Sequence, residues 1–568
     1  MNTFIRARAL RGWVLLTGTL LTLLTGAAHA ATITIQNNDG PNEGFNDPSP
    51  RAPVGGNPAT TLGAQRLFVF QRAANIWGAL LSSPVTIVVS ARMDPQTCDA
   101  ASGVLGSASA GSSQRNFANA PFADTWYQQA LANSLAGFDL NVAPDMNCTF
   151  NVSIGTPTCL PQGWYLGVDG NEGTAIELLP VVLHELGHGL GFATITLAGV
   201  EMGTPPGPHV YDRFLLDKTQ GMHWNEMTEP QRAASANNCQ NLVWDGPLTT
   251  ERSGDFLGPK PLLRVNAPTT IAGDYEVGLP SFGPGLSTSG LTGNLVLVQD
   301  SGAVPTNGCD PYTNAAQIAG NIALIDRGGC SFVAKVKRAQ LAGAVAVVVA
   351  DSTAGCPPAG MGGVDPTITI PSVRVTQDVG VQLKSALALG VNVTLILDPA
   401  LDAGTDADGR VLVYTPIPFA TGSSVSHWDT SPTPNLLMEP AINPDLSSSV
   451  DLAIPHFIDI GWVTMGTASV ADREPIPRHL LGNFPNPFRA STEIRFSLAK
   501  EEQVELDIYD LAGRIVKRVA SQRLPAGSHV LSWDGALEDG QRASAGIYLF
   551  RLKTPTTSES GRMVLLRY

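Results

Sequence analysis

The stretch Leu183-His184-Glu185-Leu186-Gly187-His188-Gly189-Leu190-Gly191-Phe192 constrains the fold more than any other part of the chain. Ile176, Leu178, Leu179, Val181, Val182, Leu183 and Leu186 make this segment apolar enough for a buried helix. Residues four apart share one helix face, so His184 and His188 present their imidazoles one turn apart, with Glu185 beside them. A core helix has little reason to bury two histidines and a glutamate unless they are paired or bind a metal. The fold must therefore bring further polar groups to this helix. Proline is tolerated in a first turn, so Pro180 starts the regular helix near Leu178. Gly189 and Gly191 then supply a C-terminal exit. H-E-x-x-H is short and also arises by chance, yet its residue types suit zinc peptidase chemistry: two imidazole ligands and a carboxylate placed to hydrogen-bond water.

At 568 residues the chain is long enough for several domains. Charged residues are sparse at 15%, and the net charge is −14. No basic stripe is present to neutralise phosphates, which argues against nucleic acid. Arg6, Arg8 and Arg11, the apolar core Trp13 to Leu24 and Ala28-His29-Ala30 read as a secretory signal over residues 1–30, with the mature chain starting at Ala31. No later apolar run reaches the roughly 18 residues of a membrane span. The seven cysteines of an exported chain point to disulfides. Cys148 with Cys159 is the best local pair, Cys309 with Cys330 the next, and the odd count leaves one thiol free. No cysteine lies between Ala31 and Thr97, so a thiolate-on-zinc latency switch has no candidate residue there.

Residues 31–60 read as irregular, rich in Asn, Pro and Gly. Leu67, Phe70, Ala74, Trp77 and Leu81 then recur at helical spacing, and Val85 to Ala91 reads as a strand. A helix, a few strands and the two-histidine helix make an α+β layout. Residues 262–400 form a coherent block of their own. Asn321–Asp326 and Ala344–Ala350 are buried strands, and Ser331–Leu341 and about Val379–Leu389 are helices, as in a small α/β layer. Its run Gly320-Asn321-Ile322-Ala323-Leu324-Ile325-Asp326-Arg327-Gly328-Gly329-Cys330-Ser331-Phe332, continued by Lys335, Ala339 and Ala342-Gly343-Ala344 and reaching Ile370-Pro371-Ser372-Val373, resembles the protease-associated (PA) domain. That resemblance implies a non-catalytic lid or binding module, found on peptidases and on sorting receptors alike.

Two histidines leave a catalytic zinc site one ligand short. Thr194 stands where the simple pattern H-E-x-x-H-x-x-G-x-x-H has its third histidine, although Gly191 is kept. His209, in Pro208-His209-Val210-Tyr211, is close in sequence, but a loop histidine of this kind is more often solvated. His456 sits beside Phe457 in a closing helix over about Ser449 to Ile460 and reads as a packed core residue. Glu201 is a thermolysin-like alternative in a setting that is not obviously helical. Ser426-His427-Trp428, with Met438 eleven residues after His427, resembles the leishmanolysin branch of the metzincins, in which the third histidine arrives after a long detour. The resemblance covers roughly residues 60–195 and 411–465. It implies His427 as third ligand, Met438 as an apolar floor that does not touch the metal, and Glu185 as general base.

Residues 466–481 read as a linker. Leu481-Gly482-Asn483-Phe484-Pro485-Asn486-Pro487-Phe488 opens a module with alternating strands at Thr492–Leu498 and Val504–Asp510, followed by Ala512-Gly513-Arg514, Trp533-Asp534-Gly535 and Ala545-Gly546-Ile547-Tyr548. These motifs resemble the immunoglobulin-like sorting domains of type IX secretion cargo, related to the hook-capping fold. The alternative is a plain β-sandwich spacer.

The expectation is a multidomain exported bacterial protein. It comprises a signal peptide (1–30), an α+β metzincin-like catalytic domain (31–260 and 401–465), an inserted α/β PA domain (261–400), a linker (466–481) and an all-β immunoglobulin-like sandwich (482–568). The expected activity is a secreted zinc endopeptidase with one Zn2+ on His184, His188 and His427, acting on protein or peptide substrates, with secretion machinery met through the C-terminal module. The rival is a surface binding or adhesion protein with a structural metal site. Ca2+ at the Asp-Gly turns of Asp402 to Gly409 is conceivable, but acidic loops are usually only solvated.

Overall fold

The computed structural model describes residues 30–196, 206–441 and 449–464, and 482–565 apart from 485–487, 489–490, 499–500, 511–513, 526, 545 and 556–557. The signal segment, Glu201 and the linker 466–481 lie outside these residues, as do parts of the C-terminal motifs. No helix among the described residues is long and apolar enough to cross a membrane.

The first body is built on a four-stranded sheet. Ile33–Asn37, Ile87–Asp94 and Met146–Asn151 run parallel, and Gly106–Ala110 pairs antiparallel with the last of them as an edge. The strand Ile33–Asn37 corrects the irregular reading of residues 31–60. Its pairing partner lies more than fifty residues away, so nothing local in Ile-Thr-Ile-Gln-Asn announces it. The sheet is mainly parallel because Leu62–Leu80 crosses between the first two strands as a helix. That helix begins on Thr61, whose hydroxyl accepts from the Ala64 amide. Its buried face (Val69, Phe70, Ala73, Ala74, Trp77) packs on the sheet and on the two-histidine helix. Phe70 meets Phe150 of the third strand edge-to-face at 4.6 Å, and Trp77 Nε1 donates to Leu183 O at 3.1 Å.

The two-histidine helix runs Leu178–Leu190 and is buried along its whole length. Pro180 falls in the first turn, where its missing N–H costs nothing. Gly191 ends the helix at φ 133°, a region that strains any side chain, with Ile460 close by. Gly189, read as part of the exit, is instead inside the helix. A methyl there would meet Met146 Sδ, so its bareness serves contact with the sheet.

A second, antiparallel sheet, ordered Met222–His223, Leu215–Asp217, Leu242–Trp244, Val411–Leu412, joins chain from before and after the inserted block. The block is entered and left at neighbouring points, because Pro259–Ala267 pairs antiparallel with Asn392–Asp402. Its seven-stranded sheet ends in four parallel strands: Leu291–Leu297, Ile322–Asp326, Ala346–Ala350 and Ser372–Val375. Helix Phe332–Leu341 crosses between the second and third of them, and Gln377–Ala386 follows the last and leads back to Asn392–Asp402. Ser331 and Thr376 cap these helices through their hydroxyls. Two apolar clusters cover the two faces of this sheet.

The C-terminal block is two antiparallel sheets. One holds Gly482–Phe484, Thr492–Leu498 and Gly527–Trp533, the other Glu502–Tyr509, Ile515–Leu524, Gly546–Lys553 and Ser558–Leu565. Ile494, Phe496, Val504, Leu506, Trp533 and Phe550 fill the core between them.

Disulfides join Cys98 to Cys159, Cys239 to Cys356 and Cys309 to Cys330. The Cys148–Cys159 pairing is therefore wrong. Cys148 lies inside the third strand and is the buried free thiol, whereas Cys159 sits in a loop that the sheet brings against Cys98.

Candidate metal centre and cleft

His184, His188 and His427 come together over a sequence gap of more than two hundred residues. Their Nε2 atoms are 3.1 Å (His184–His188), 3.2 Å (His188–His427) and 3.3 Å (His184–His427) apart. Each Nδ1 faces a backbone carbonyl: Leu437 O at 2.7 Å, Phe192 O at 2.7 Å and Ser423 O at 2.8 Å, respectively. A carbonyl only accepts, so each Nδ1 carries the proton and each neutral Nε2 offers a lone pair. Three lone pairs at such separations repel unless a cation sits among them. Ligand atoms about 2.05 Å from a tetrahedral zinc stand roughly 3.3 Å from one another, which is the spacing found. Burial holds the three rings neutral: His184 is pulled down to about 4, His188 to about 3, and His427 well below its ordinary range.

Three elements deliver these rings. The helix fixes the first two. His427 follows Val425, at φ 71°, and Tyr211 Oη donates to Val425 O at 3.0 Å. Trp428 N donates to Met438 O, which sets the next turn beneath the helix. Met438 is fully buried, and its Sδ lies 2.7 Å from where a methyl on Gly187 would project. It thus fills the floor between the turns that carry His184 and His188. Leu437 N donates to Asp451 Oδ2 at 2.6 Å, holding the carbonyl that orients His184.

Glu185 is 6% exposed, and burial pushes its carboxyl up to about 8 in the metal-free chain. A methyl on Gly106 would sit 3.1 Å from Glu185 Cγ and 3.0 Å from the Phe150 ring, so the edge strand lies directly against this side chain. Between that strand and residues 419–426 runs a cleft of about 340 Å³. It is lined by Ala108, Ala110, His188, Trp224, Phe419 and Val425 among others.

The other sequence candidates stand elsewhere. Thr194 donates to Asp212 Oδ1 at 2.7 Å, and Thr196 and the His209 amide donate to Asp212 Oδ2. The shorter motif's ligand position has thus become a clasp. His209 is fully buried rather than solvated, with Nε2 unpartnered, because the bridge between Trp126 and His209 draws its loop into the core. His456 packs among Phe192, Tyr211, Trp244 and Trp428. In the Asp402 to Gly409 turn, Asp406 accepts from the Arg410 guanidinium, and Asp408 pairs with the same group. The three histidines form the only group of three or more His, Cys, Asp or Glu with convergent ligand atoms among the described residues. The carbonyl acceptors, Gly106 and the Asp212 clasp were not found by sequence reasoning. A backbone carbonyl has no residue signature, and Gly106 is one of 58 glycines.

A family model described as "PA domain" matches residues 291–383, and one described as "FlgD Ig-like domain" matches residues 488–558. The chain is therefore multidomain, with a PA domain and an immunoglobulin-like domain within a mixed α/β whole. Vacuolar-sorting receptor 2 of Arabidopsis thaliana is 32% identical over 28% of this chain and 27% of its own length. The probable lipoprotein aminopeptidase LpqL of Mycobacterium tuberculosis is 34% identical over 20% of each chain. Among solved structures, the zinc aminopeptidase BSAP of Bacillus subtilis aligns over 27% of this chain and 36% of its own at 22% identity, with a TM-score of 0.19. The chain spans about a quarter of the length of the vacuolar-sorting receptors it matches.

Proposed function

We propose that this chain is a secreted zinc endopeptidase of the metzincin type, with one zinc ion held by His184, His188 and His427. The observation that carries the reading is the set of three buried Nε2 lone pairs 3.1–3.3 Å apart, each fixed by a carbonyl on the far side of its ring. A zinc ion there supplies Lewis acidity, which polarises a scissile carbonyl and lowers the pKa of water toward neutrality. Glu185, one residue from His184 and walled in by the edge strand, takes a proton from the attacking water and passes it to the leaving amine. Three protein ligands leave a fourth position for chemistry, whereas a purely structural site is closed by four. Gly106–Ala110 is a sheet edge among the described residues, and such an edge offers backbone groups to an extended peptide.

In this reading residues 31–260 and 401–465 form the catalytic unit. Residues 261–400 are a non-catalytic PA module, and residues 482–568 serve export or attachment. Three disulfides suit an oxidising compartment. The test is casein digestion by the purified chain. Digestion should stop with a zinc chelator and return with added zinc. Glu185→Gln should keep one zinc per chain and lose digestion. Full digestion by that variant would refute the assigned base.

A further inference from the structure

A second cavity, of about 820 Å³, shares no lining residue with the cleft at His188. It lies at the start of the helix Leu62–Leu80 and just past the end of the strand Met146–Asn151. That is the carboxyl end of the three parallel strands, where sheets of this kind take ligands. Its walls include Val54, Ile154 and Trp164, and three charged side chains, Arg51, Arg66 and Asp47, so the cations outnumber the carboxylate.

Arg66 is the unusual member. It is 5% exposed, and Nη1 donates to Gly44 O at 3.0 Å. Its Nε has no acceptor, and no carboxylate pairs with it among the described residues. Two carboxylates act on it from beyond ion-pair distance: Asp47, which lines the same cavity and also acts on Arg51, and Asp39. Asp47 accepts from the Ser49 amide, and Asp39 from the Phe45 and Met93 amides. Neither carboxylate touches the guanidinium, and a buried cation is normally in direct contact with an acceptor or a bound anion. With Nη1 taken, the edge of the guanidinium that includes Nε remains, and such an edge suits a carboxylate. Arg51 is exposed, and no ion pair or side-chain hydrogen bond occupies it among the described residues.

We propose that this cavity binds an acidic residue flanked by apolar ones in a peptide. Arg66 and Arg51 hold the carboxylate, and Val54, Ile154 and Trp164 receive the apolar flanks. The site does not depend on the catalytic reading, because it uses none of the residues at the histidine cluster.

Calorimetric titration of the full-length, zinc-loaded chain tests it, in a Glu185→Gln background that keeps the probe intact. The probes are acetyl-Leu-Glu-Leu-amide and its glutamine and lysine counterparts. The glutamate probe should bind saturably and at least tenfold tighter than the glutamine probe, and the lysine probe weakest. Arg51→Gln, at an exposed position that does not threaten folding, should erase most of that preference, and Arg66→Gln the rest. Trp164→Ala should weaken the glutamate and glutamine probes alike. Equal binding of these two probes overturns the proposal, as does a glutamate preference that survives in both arginine variants. Isovalerate binding as tightly as the glutamate probe overturns the peptide assignment.

Discussion

The Nε2 atoms of His188 and His427 stand 3.2 Å apart although 239 residues separate them, and a whole folded block lies in between. The arrangement works because that block leaves and re-enters on paired strands, so it adds length without displacing the chain ends. His427→Ala should therefore cost zinc as severely as His188→Ala, leaving substoichiometric metal after dialysis. Thr194→Ala should keep the full complement, since that hydroxyl serves Asp212 and not the cluster. Metal analysis of the three variants checks this. Full zinc in His427→Ala would remove the third ligand from the scheme.

Zinc uptake should release a proton, and Glu185 should be its source. Burial alone pushes the Glu185 carboxyl up to about 8, so at pH 7 the metal-free chain holds it mostly protonated. A divalent cation nearby favours the carboxylate and expels that proton. The histidines contribute little, because burial already keeps His184 and His188 unprotonated down to about 4 and 3. Zinc affinity should thus rise with pH up to about 8 through one group, and fall through the histidines only below about 4. Calorimetry in buffers of different ionisation enthalpy should count close to one proton more per zinc at pH 7 in the native chain than in Glu185→Gln, any release from zinc-bound water being common to both. Release of several protons in both forms would mean that the rings are charged before zinc arrives.

Two glycines set the site's geometry from opposite sides. Gly187→Ala would drive a methyl to 2.7 Å from Met438 Sδ under the cluster, and Gly106→Ala would crowd Phe150 and Glu185. Overpacking of this kind costs about 1–3 kcal/mol. Both variants should lower the melting temperature by several degrees. Gly187→Ala should also weaken zinc binding, while Gly106→Ala should keep zinc and depress kcat. Unchanged kcat in Gly106→Ala would detach the edge strand from the carboxylate.

The two-histidine helix was legible in the sequence because one short, apolar, periodic run carried its secondary structure and put both imidazoles on one face. His427 was legible only through the Ser-His-Trp and methionine spacing, since a lone histidine in a loop has no signal of its own. His209 shows the limit: the same kind of loop histidine was read as solvated, yet tertiary contacts bury it completely. The strand Ile33–Asn37 and the Cys98–Cys159 bond were missed for a related reason. Both depend on partners fifty or more residues away, and cysteine spacing does not fix connectivity.

Cys148 should be the single thiol revealed on unfolding. It is fully enclosed in the sheet, and burial pushes its thiol up, so it is neither reactive nor accessible in the native chain. A thiol reagent should titrate no groups in buffer and one per chain in denaturant without reductant. Two or more thiols would break one of the three disulfides.

Cys239–Cys356 cross-links the histidine-bearing body to the inserted block. Beside it, Ile417 N donates to Cys356 O at 3.1 Å, and Phe419, two residues on, lines the cleft. The bond thus ties one wall of the cleft to the inserted block. A disulfide closing a loop of about a hundred residues is worth roughly 2–4 kcal/mol. Because the block is already tied at its stem by Pro259–Ala267 and Asn392–Asp402, the lower part of that range applies. Cys239→Ser with Cys356→Ser should therefore fold, keep one zinc and keep kcat on short peptides. It should also raise KM several-fold on long substrates that contact residues 419–426. If kcat and zinc content fell instead, the inserted block would be supporting the histidine cluster and not the cleft wall.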